Sequence, residues 1–296
     1  MTKKQRLGYY AYLALFTPFA LLPLPVLHFI ARGIAFLLYK GFHYREKVVR
    51  GNLEASFPGI TEAELQTILR GFYQNVADVM VEAIKLLHIS QKELDRRVTV
   101  KGQEHVYKHW KEGRPIILLL GHTTNWEWVP YISIEFMPDL PCRHIYRVQD
   151  DLAFQGVMDK IRGRFPSIGV TQEGALREMV KLRRDNGVFM IGVIGDHRPV
   201  VRNGVKVTEF MNQQTVFSTA MENLGHRMGA AYLYVQAERT SRGHYTLTYI
   251  PIEPSEELMA QGHEGYPYTR QFYRMLEATL RRNPSNWLWS HRRWVW

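Results

Sequence analysis

The segment EGRPIILLLGHTTNWEW, residues 112–128, contains the pattern that decides the fold. After a Gly/Pro turn comes Ile116–Leu120, a short continuous apolar run that is typical of a strand buried on both faces of a parallel sheet. Gly121 follows the run and allows a turn, and the next residues can begin a helix. The pattern therefore places His122 directly beyond the carboxyl end of a buried strand.

Further apolar runs alternate with helical patterns along the chain. Strands are predicted at 143–148, 188–194, 230–237 and 245–250, and helices at 152–162, 173–184, 217–227 and 268–281. Upstream, Thr61 and Glu64 have the spacing of a capping box that begins an amphipathic helix. The alternation predicts an α/β fold with a central mixed, largely parallel sheet flanked by helices. Active sites of such folds lie beyond the carboxyl ends of strands, which is where His122 falls.

His122 and Glu127 are separated by four residues and form the candidate catalytic pair. A carboxylate one turn into the following helix can reach the imidazole, fix its tautomer and stabilise the imidazolium, so that His122 takes a proton from a hydroxyl. No Gly-x-Ser-x-Gly motif occurs and Cys142 has no partner in the sequence, which favours direct attack of the hydroxyl on a thioester. The alternatives are a structural histidine beside a carboxylate and a metal pair, but no third metal ligand stands out and HExxH spacing is absent.

Three arginines and one aspartate are candidate substrate-binding residues. Arg147 lies in IYRVQDD, and Arg162 and Arg164 lie in KIRGRF; guanidinium groups bind phosphate through paired hydrogen bonds. Asp196 ends the apolar run FMIGVIGD and could orient an arginine or the acceptor. The alternatives are a solvated basic helix end for the arginines and a turn or helix cap for Asp196.

Composition limits the class of protein and its partners. The chain has 296 residues, 46% of them hydrophobic, one cysteine and a net charge of +10. One cysteine excludes an intramolecular disulfide framework and a zinc-finger cluster. The positive charge attracts nucleic acid, anionic lipid headgroups or an acidic carrier protein. A nucleic-acid-binding protein fits poorly, because the charge is dispersed and the N-terminus is apolar.

The N-terminal segment is the candidate membrane anchor. Residues 7–31 contain no Lys, Arg, Asp or Glu and are long enough to span a bilayer, although Pro23 and Pro25 interrupt the run. A kinked span and two short helices dipping into one leaflet both fit, and a signal peptide or a buried core helix are the alternatives. Basic residues on both sides favour a shallow anchor with both ends cytoplasmic. We expect residues 1–45 to form the anchor and residues 46–296 the catalytic domain.

Several motifs, in order, resemble one known family. After the apolar N-terminus come NLEASFP at 52–58, GHTTNWE at 121–127, IYR at 145–147, RGR at 162–164, GDH at 195–197 and NPSNWLWSHRRW at 283–294. The order is similar to that of the late acyltransferases of lipid A biosynthesis, within the glycerophospholipid-acyltransferase-like group. The His-x4-acid motif is shared by many acyltransferases, whereas the first and last of these motifs point to the lipid A branch.

The resemblance implies an O-acyltransferase of lipopolysaccharide biosynthesis with its catalytic domain on the cytoplasmic side of the inner membrane. It implies acyl carrier protein as donor, an acidic partner that suits a basic enzyme, and a phosphorylated, acylated glucosamine disaccharide as acceptor. In the family pattern His122 is the general base, Glu127 is its partner, Arg162 and Arg164 bind phosphate, and Asp196 completes the site. We expect no cofactor and no metal.

The sequence departs from the family pattern in two segments. Arg198 and Pro199 stand where an acidic residue often follows the Asp-His pair, and Phe210, Met211 and Asn212 stand where Phe-Phe-Gly is common. Both segments belong to the expected acceptor side, so a lysophospholipid, an amino-acid lipid or a mannolipid is the alternative acceptor. A catalytically inactive membrane scaffold is a further alternative, which an intact His122/Glu127 pair disfavours.

Overall fold

A seven-stranded sheet forms the centre of the protein in the computed structural model, which describes residues 2–199 and 205–294. In chain order its strands are β1 (Val98–Lys101), β2 (Ile116–Leu120), β3 (Cys142–Tyr146), β4 (Ile168–Thr171), β5 (Met190–Ile194), β8 (Ala231–Ser241) and β9 (His244–Pro251). Their order in the sheet is β1-β9-β8-β2-β5-β3-β4, and only β8 and β9 pair antiparallel. The predicted mixed, largely parallel sheet is confirmed.

Eleven α-helices are described around the sheet. They are α1 (Lys3–Leu21), α2 (Leu24–Phe36), α3 (Glu46–Ser56), α4 (Glu62–Lys85), α5 (Gln91–Asp95), α6 (Gln103–Lys111), α7 (Leu152–Arg162), α8 (Ala175–Asn186), α9 (Ala220–Met228), α10 (Glu256–Ala260) and α11 (Pro267–Arg282). The capping box that begins α4 is present, with Thr61 accepting from the Glu64 amide and Glu64 accepting from the Thr61 amide. A π-helical turn at Leu37–Gly41 and 3-10 turns at Trp126–Ser133, His263–Gly265 and Pro284–Asn286 complete the helical segments.

The sequence predictions of secondary structure fail at short and edge elements. The four-residue strands β1 and β4 were not predicted, and β4 is an edge strand whose first residue, Ile168, is exposed. A two-stranded hairpin of β6 (Val205–Phe210) and β7 (Gln213–Ser218) was also missed. The predicted helix at 217–227 was wrong at its start, because Phe217 is a buried residue of β7 and the helix begins at Ala220.

The N-terminal apolar run forms two helices that pack on the rest of the protein. The helical conformation is interrupted between Leu21 and Leu24, where Lys85 of α4 donates to the carbonyls of Ala20 and Leu22. Within the described residues, one helical stretch, Leu24–Gly41, is long and apolar enough to cross a membrane, and 33% of it is buried in the protein. A boundary between anchor and catalytic domain at residue 45 stays a prediction.

The closing motif packs between the loop after β2 and the segment 52–58. Thr123 forms an isolated antiparallel bridge with Trp287, and the Thr124 amide donates to the Asn286 carbonyl at 2.8 Å. The side-chain amide of Asn52 donates from Nδ2 to the carbonyls of Trp289 and His291 at 2.8 and 3.0 Å. Three motifs that are far apart in the sequence therefore form one structural unit around His122.

Candidate active site

His122 is held at the carboxyl end of β2 by a tight turn. A Cβ atom on Gly121 would lie 2.7 Å from Leu276 Cδ1 and 3.2 Å from Asp196 Oδ2, so a larger residue would displace the turn from α11 and from Asp196. The Gly195 amide donates to the Leu120 carbonyl at 2.9 Å, which extends the pairing of β2 and β5 to this point. The ends of two neighbouring parallel strands thus bring residues 122 and 196 together.

Asp196 is the carboxylate that contacts His122. Its Oδ1 lies 2.7 Å from His122 Nδ1, and its Oδ2 accepts from the His122 backbone amide at 2.7 Å and from Trp287 Nε1 at 2.6 Å. Asp196 is fully buried, and burial alone would raise the pKa of its carboxyl. The charge and hydrogen bond of His122, aided by His197 and Trp287, outweigh burial and hold the pKa well below its usual range. Asp196 is therefore an anion that fixes the imidazole.

Glu127 contacts Arg162 instead of His122, which corrects the predicted hydrogen bond between Glu127 and His122. Arg162 donates from Nε and Nη2 to the two carboxylate oxygens of Glu127 at 3.0 and 2.8 Å. The chain takes a left-handed conformation at Thr124 (φ 49°) and then enters the 3-10 turn, so the α-helical geometry on which the prediction rested does not form. The Nδ1 position that Glu127 would need is occupied by Asp196.

The loop between His122 and Glu127 is held in place by a buried carboxylate of α4. Glu82 is fully buried; its Oε2 accepts from Asn125 Nδ2 at 2.7 Å and from the Tyr245 hydroxyl at 2.6 Å, and its Oε1 lies 2.8 Å from His28 Nε2. The backbone carbonyl of Glu82 accepts from Trp128 Nε1 at 3.1 Å. Each contact satisfies a polar group that would be costly to bury alone. Helices α2 and α4 thereby support the loop that carries the site.

A cavity of about 670 Å³ lies next to these residues. His122, Glu127, Arg147 and Arg162 line it, so four of the residues singled out in the sequence border one space. Arg164 does not line it and instead donates to the Ile89 carbonyl. The apolar side of the cavity includes Leu118, Leu120, Cys142, Met190, Gly192 and Ile194, which lie on three neighbouring strands. A polar wall and an apolar wall suit an amphipathic ligand.

The Arg162–Glu127 pair provides a cation on the polar wall. Burial lowers the pKa of the Arg162 guanidinium, but the hydrogen bond and charge of Glu127 outweigh this and raise the pKa overall. The side chains keep 18% and 9% of their exposure, so the pair is screened from bulk solvent but borders the cavity. Arg147, by contrast, is an exposed residue of the rim.

Two histidines that form a stack with His122 were not singled out in the sequence. His197 stacks on His122 with ring centroids 3.7 Å apart, and His291 stacks on His197 at 4.0 Å. Both line the cavity. The signal that could have found them is their position inside two of the motifs, since GDH also contains Asp196, which contacts His122, and the closing motif also contains Trp287, which donates to Asp196.

His122, Asp196 and His197 form a group of potential metal ligands, with ligand atoms within 4.8 Å of one another. The two imidazole rings are nearly parallel, at 11°, so their in-plane lone pairs do not converge on one point. Metal–imidazole bonds of about 2.0–2.1 Å would require the rings to leave the stack. Asp196 also already accepts three hydrogen bonds from protein groups. These residues therefore fit a proton-transfer site better than a metal site.

A histidine–aspartate pair at the carboxyl ends of parallel strands, beside an amphipathic cavity, is an arrangement with which an α/β enzyme can activate a hydroxyl. The sequence model of the family described as bacterial lipid A biosynthesis acyltransferase matches residues 1–295, and the chain belongs to this family. The lipid A biosynthesis lauroyltransferase of Escherichia coli (strain K12) is 23% identical over 273 residues, which cover 92% of this chain and 86% of that relative. The resemblance noted in the sequence is confirmed, and the chain is an acyltransferase.

Proposed function

We propose that the protein transfers a fatty acyl chain from the thioester of acyl carrier protein to a hydroxyl of a lipid A precursor. The observation that carries the proposal is the His122–Asp196 pair, whose histidine lines the cavity, in a chain of the lipid A biosynthesis acyltransferase family. The Escherichia coli relative is a lauroyltransferase, which supports a fatty acyl donor.

His122 acts as the general base in this proposal. Asp196 holds Nδ1 protonated, which leaves Nε2 as the acceptor, and among the described residues Nε2 has no hydrogen-bonding partner. The acceptor hydroxyl gives its proton to Nε2 while its oxygen attacks the thioester carbon, forming a tetrahedral oxyanion. The oxyanion collapses, the C–S bond breaks, and the leaving thiolate takes the proton from Nε2, which yields the ester and a free thiol. Asp196 stabilises the transient imidazolium.

Arg162 binds a phosphate group of the acceptor in this proposal, and Arg147 adds a second cation at the rim. Glu127 holds the Arg162 guanidinium in a fixed plane through two hydrogen bonds. Planar guanidinium groups match the paired oxygens of a phosphate. Glu127 thus acts on the substrate-binding cation, and the orienting role that the sequence assigned to it falls to Asp196.

The acyl chain occupies the apolar wall of the cavity. Gly192 pairs with Leu118 and with His144 in neighbouring strands, and a Cβ on Gly192 would meet nothing closer than the Arg143 carbonyl at 3.8 Å. The missing side chain leaves open space at this point of the cavity wall. In this proposal the hydrocarbon chain uses that space and extends from the strand ends toward Met190 and Cys142.

The N-terminal helices dock the enzyme on the cytoplasmic side of the inner membrane. Their exposed residues include many large apolar side chains, among them Leu7, Tyr10, Leu15, Leu21, Phe29, Phe36 and Phe42. Leaving such residues in water is unfavourable, whereas an acylated acceptor cannot leave the bilayer cheaply, since each methylene contributes about 0.8 kcal/mol. The net charge of +10 favours anionic headgroups and an acidic carrier protein.

The test is mass spectrometry of lipid A after deletion of the gene and its restoration as wild type or as Asp196→Asn. We expect one acyl group to disappear on deletion, and only the wild-type gene to restore it. Unchanged lipid A would refute the acceptor assignment, and the phospholipid and amino-acid lipid fractions would then be searched for the missing group. Full restoration by Asp196→Asn would refute the catalytic pair while leaving the acceptor assignment in place.

A further inference from the structure

Three imidazole rings form a continuous stack at the active site. His122 and His197 have ring centroids 3.7 Å apart and an interplanar angle of 11°, and His197 and His291 are 4.0 Å apart with an angle of 4°. The proposed mechanism uses only the first ring. The other two come from different motifs, yet both line the cavity that His122 lines.

Each of the two unused rings has one buried nitrogen without a hydrogen-bonding partner among the residues that the structure describes. These atoms are Nε2 of His197 and Nδ1 of His291. An unpaired buried donor costs about 1–3 kcal/mol, and unpaired buried N–H groups are rarer in proteins than under-satisfied buried acceptors. A neutral imidazole carries its proton on one nitrogen only. The favoured tautomers therefore protonate the opposite nitrogens, Nδ1 of His197 and Nε2 of His291.

Burial keeps both rings neutral. Desolvation lowers the pKa of His197 to about 3, and the charge of His122 contributes to the shift although Asp196 opposes it. Desolvation likewise lowers the pKa of His291 to about 4, with Asp196 opposing and with His122, Arg293 and Arg45 contributing. At neutral pH both rings are uncharged, and each offers one N–H donor.

We propose that His197 is a further catalytic residue, whose Nδ1–H donates a hydrogen bond to the oxyanion that forms on the thioester carbonyl. This inference rests on the proposed function. No proton is transferred in the step: the N–H stabilises the negative charge while His122 holds the proton from the hydroxyl. His291 is a positioning residue that confines the His197 ring from its other face. Ring stacking places the His197 ring 3.7 Å from the ring of the base, on the wall of the same cavity.

The activity test compares two replacements of His197 in the full-length protein. His197→Phe keeps an aromatic ring in the stack but removes the N–H, whereas His197→Gln keeps an amide donor and removes the ring. We expect His197→Phe to lower kcat about 10²–10³-fold with KM for both substrates little changed, as for the loss of one oxyanion donor. His197→Gln is expected to retain more kcat than His197→Phe. Near-normal kcat in His197→Phe, with a larger loss in His197→Gln, would mean that stacking alone matters and would overturn the proposal.

Two further measurements separate this proposal from the proposed function. His122→Ala is assayed in parallel, and if it retains activity, the general-base mechanism fails whatever His197 does. Nitrogen-15 NMR of histidine-labelled protein in detergent reports the tautomers without any substrate, with His197→Phe and His291→Phe used for assignment. We expect His197 protonated on Nδ1 and neutral at pH 7. An Nε2–H tautomer or a charged ring would refute the donor role even if the acyl transfer is correct.

Discussion

Two carboxylates lie beside the same cavity and are used in different ways. Asp196 is fully buried and accepts three hydrogen bonds, two of them from His122 and one from Trp287. Glu127 keeps 9% of its side-chain exposure and accepts two hydrogen bonds, both from Arg162. Asp196 is therefore enclosed by protein groups, whereas Glu127 has one partner, Arg162, which also borders the cavity.

The difference shows that burial decides whether an ion pair can also contact a ligand. A buried anion is tolerated only when its lone pairs are satisfied, so Asp196 gains a rigid set of donors and loses the freedom to contact a ligand. Arg162 has five N–H donors and uses two on Glu127, so donors remain for a ligand. We expect the Asp196 pair to control the chemical step and the Glu127 pair to control binding.

The largest effect is expected from Asp196→Asn. An amide cannot replace the carboxylate charge that stabilises the imidazolium, and it can reverse the tautomer of His122. We expect kcat to fall about 10²–10⁴-fold, the contribution of general-base catalysis, with KM nearly unchanged. Steady-state transfer from acyl carrier protein measures both constants. Trp287→Phe, which removes one of the three donors and keeps the carboxylate, is the control and should lose much less; a pure KM effect in Asp196→Asn would contradict the assignment.

The next largest effect is expected from Glu127→Gln and Arg162→Lys. Each breaks a bidentate, charge-assisted pair worth about 1.5–3 kcal/mol, so we expect KM for a phosphorylated acceptor to rise roughly ten- to hundredfold. The same assay with an acceptor lacking phosphate is the control, because the difference between wild type and variant should largely vanish there. A loss confined to kcat and as large as that of Asp196→Asn would restore Glu127 to the role that the sequence predicted for it.

The sequence predicted the fold well where local pattern and burial agree. Ile116–Leu120 is buried along its whole length and occupies the middle of the sheet, so its composition alone identified it. Strand β4 could not be predicted in this way, because it is four residues long, partly exposed and supported on one side only. Edge strands carry a weak pattern since water replaces half of their neighbours.

The partner of His122 was not predictable from spacing. Glu127 is five positions from His122, and the left-handed Thr124 and the 3-10 turn that direct it elsewhere depend on contacts with Glu82 and Asn286. Asp196 is 74 positions away and reaches His122 only because β2 and β5 are neighbours in the sheet. The sequence singled out both carboxylates but could not assign their partners, since pairing between strands is a tertiary property.

A smaller effect is expected on stability at acidic pH. The contributions of Asp196 and of the stacked histidines to stability are lost in different pH ranges. The pKa values of His197 and His291, about 3 and 4, lie below the value of about 6.5 for an unfolded chain. The unfolded state therefore binds more protons, and stability is lost as pH falls from about 6.5 toward 4. Asp196, whose pKa is also lowered, contributes above about pH 3.9 and loses its contribution only under stronger acid.

Thermal unfolding of wild type and His291→Phe across pH 4–7 measures this effect. We expect the melting temperature of wild type to decline by several degrees toward pH 4, and the decline to be shallower in His291→Phe, because one buried group no longer takes up a proton on unfolding. His144, whose pKa burial lowers to about 4, still takes up a proton on unfolding, so part of the decline in melting temperature remains in His291→Phe. Equal slopes in the two proteins would mean that His291 is already protonated in the folded state.

The smallest effect is expected from Arg164→Ala, which tests how far the phosphate site extends from Arg162. Arg164 is an exposed residue that does not line the cavity and donates to the Ile89 carbonyl. Surface substitutions usually change free energies by about 0.5 kcal/mol or less, so we expect kcat/KM to change less than about threefold. Arg147→Ala, at the rim of the cavity, is the matched comparison and should fall between Arg164→Ala and Arg162→Lys. Arg164→Ala could instead lose as much kcat/KM as Arg162→Lys, and only with a phosphorylated acceptor. That outcome would mean that both arginines bind the phosphate, and that the Arg162–Glu127 pair is one part of a larger cationic site.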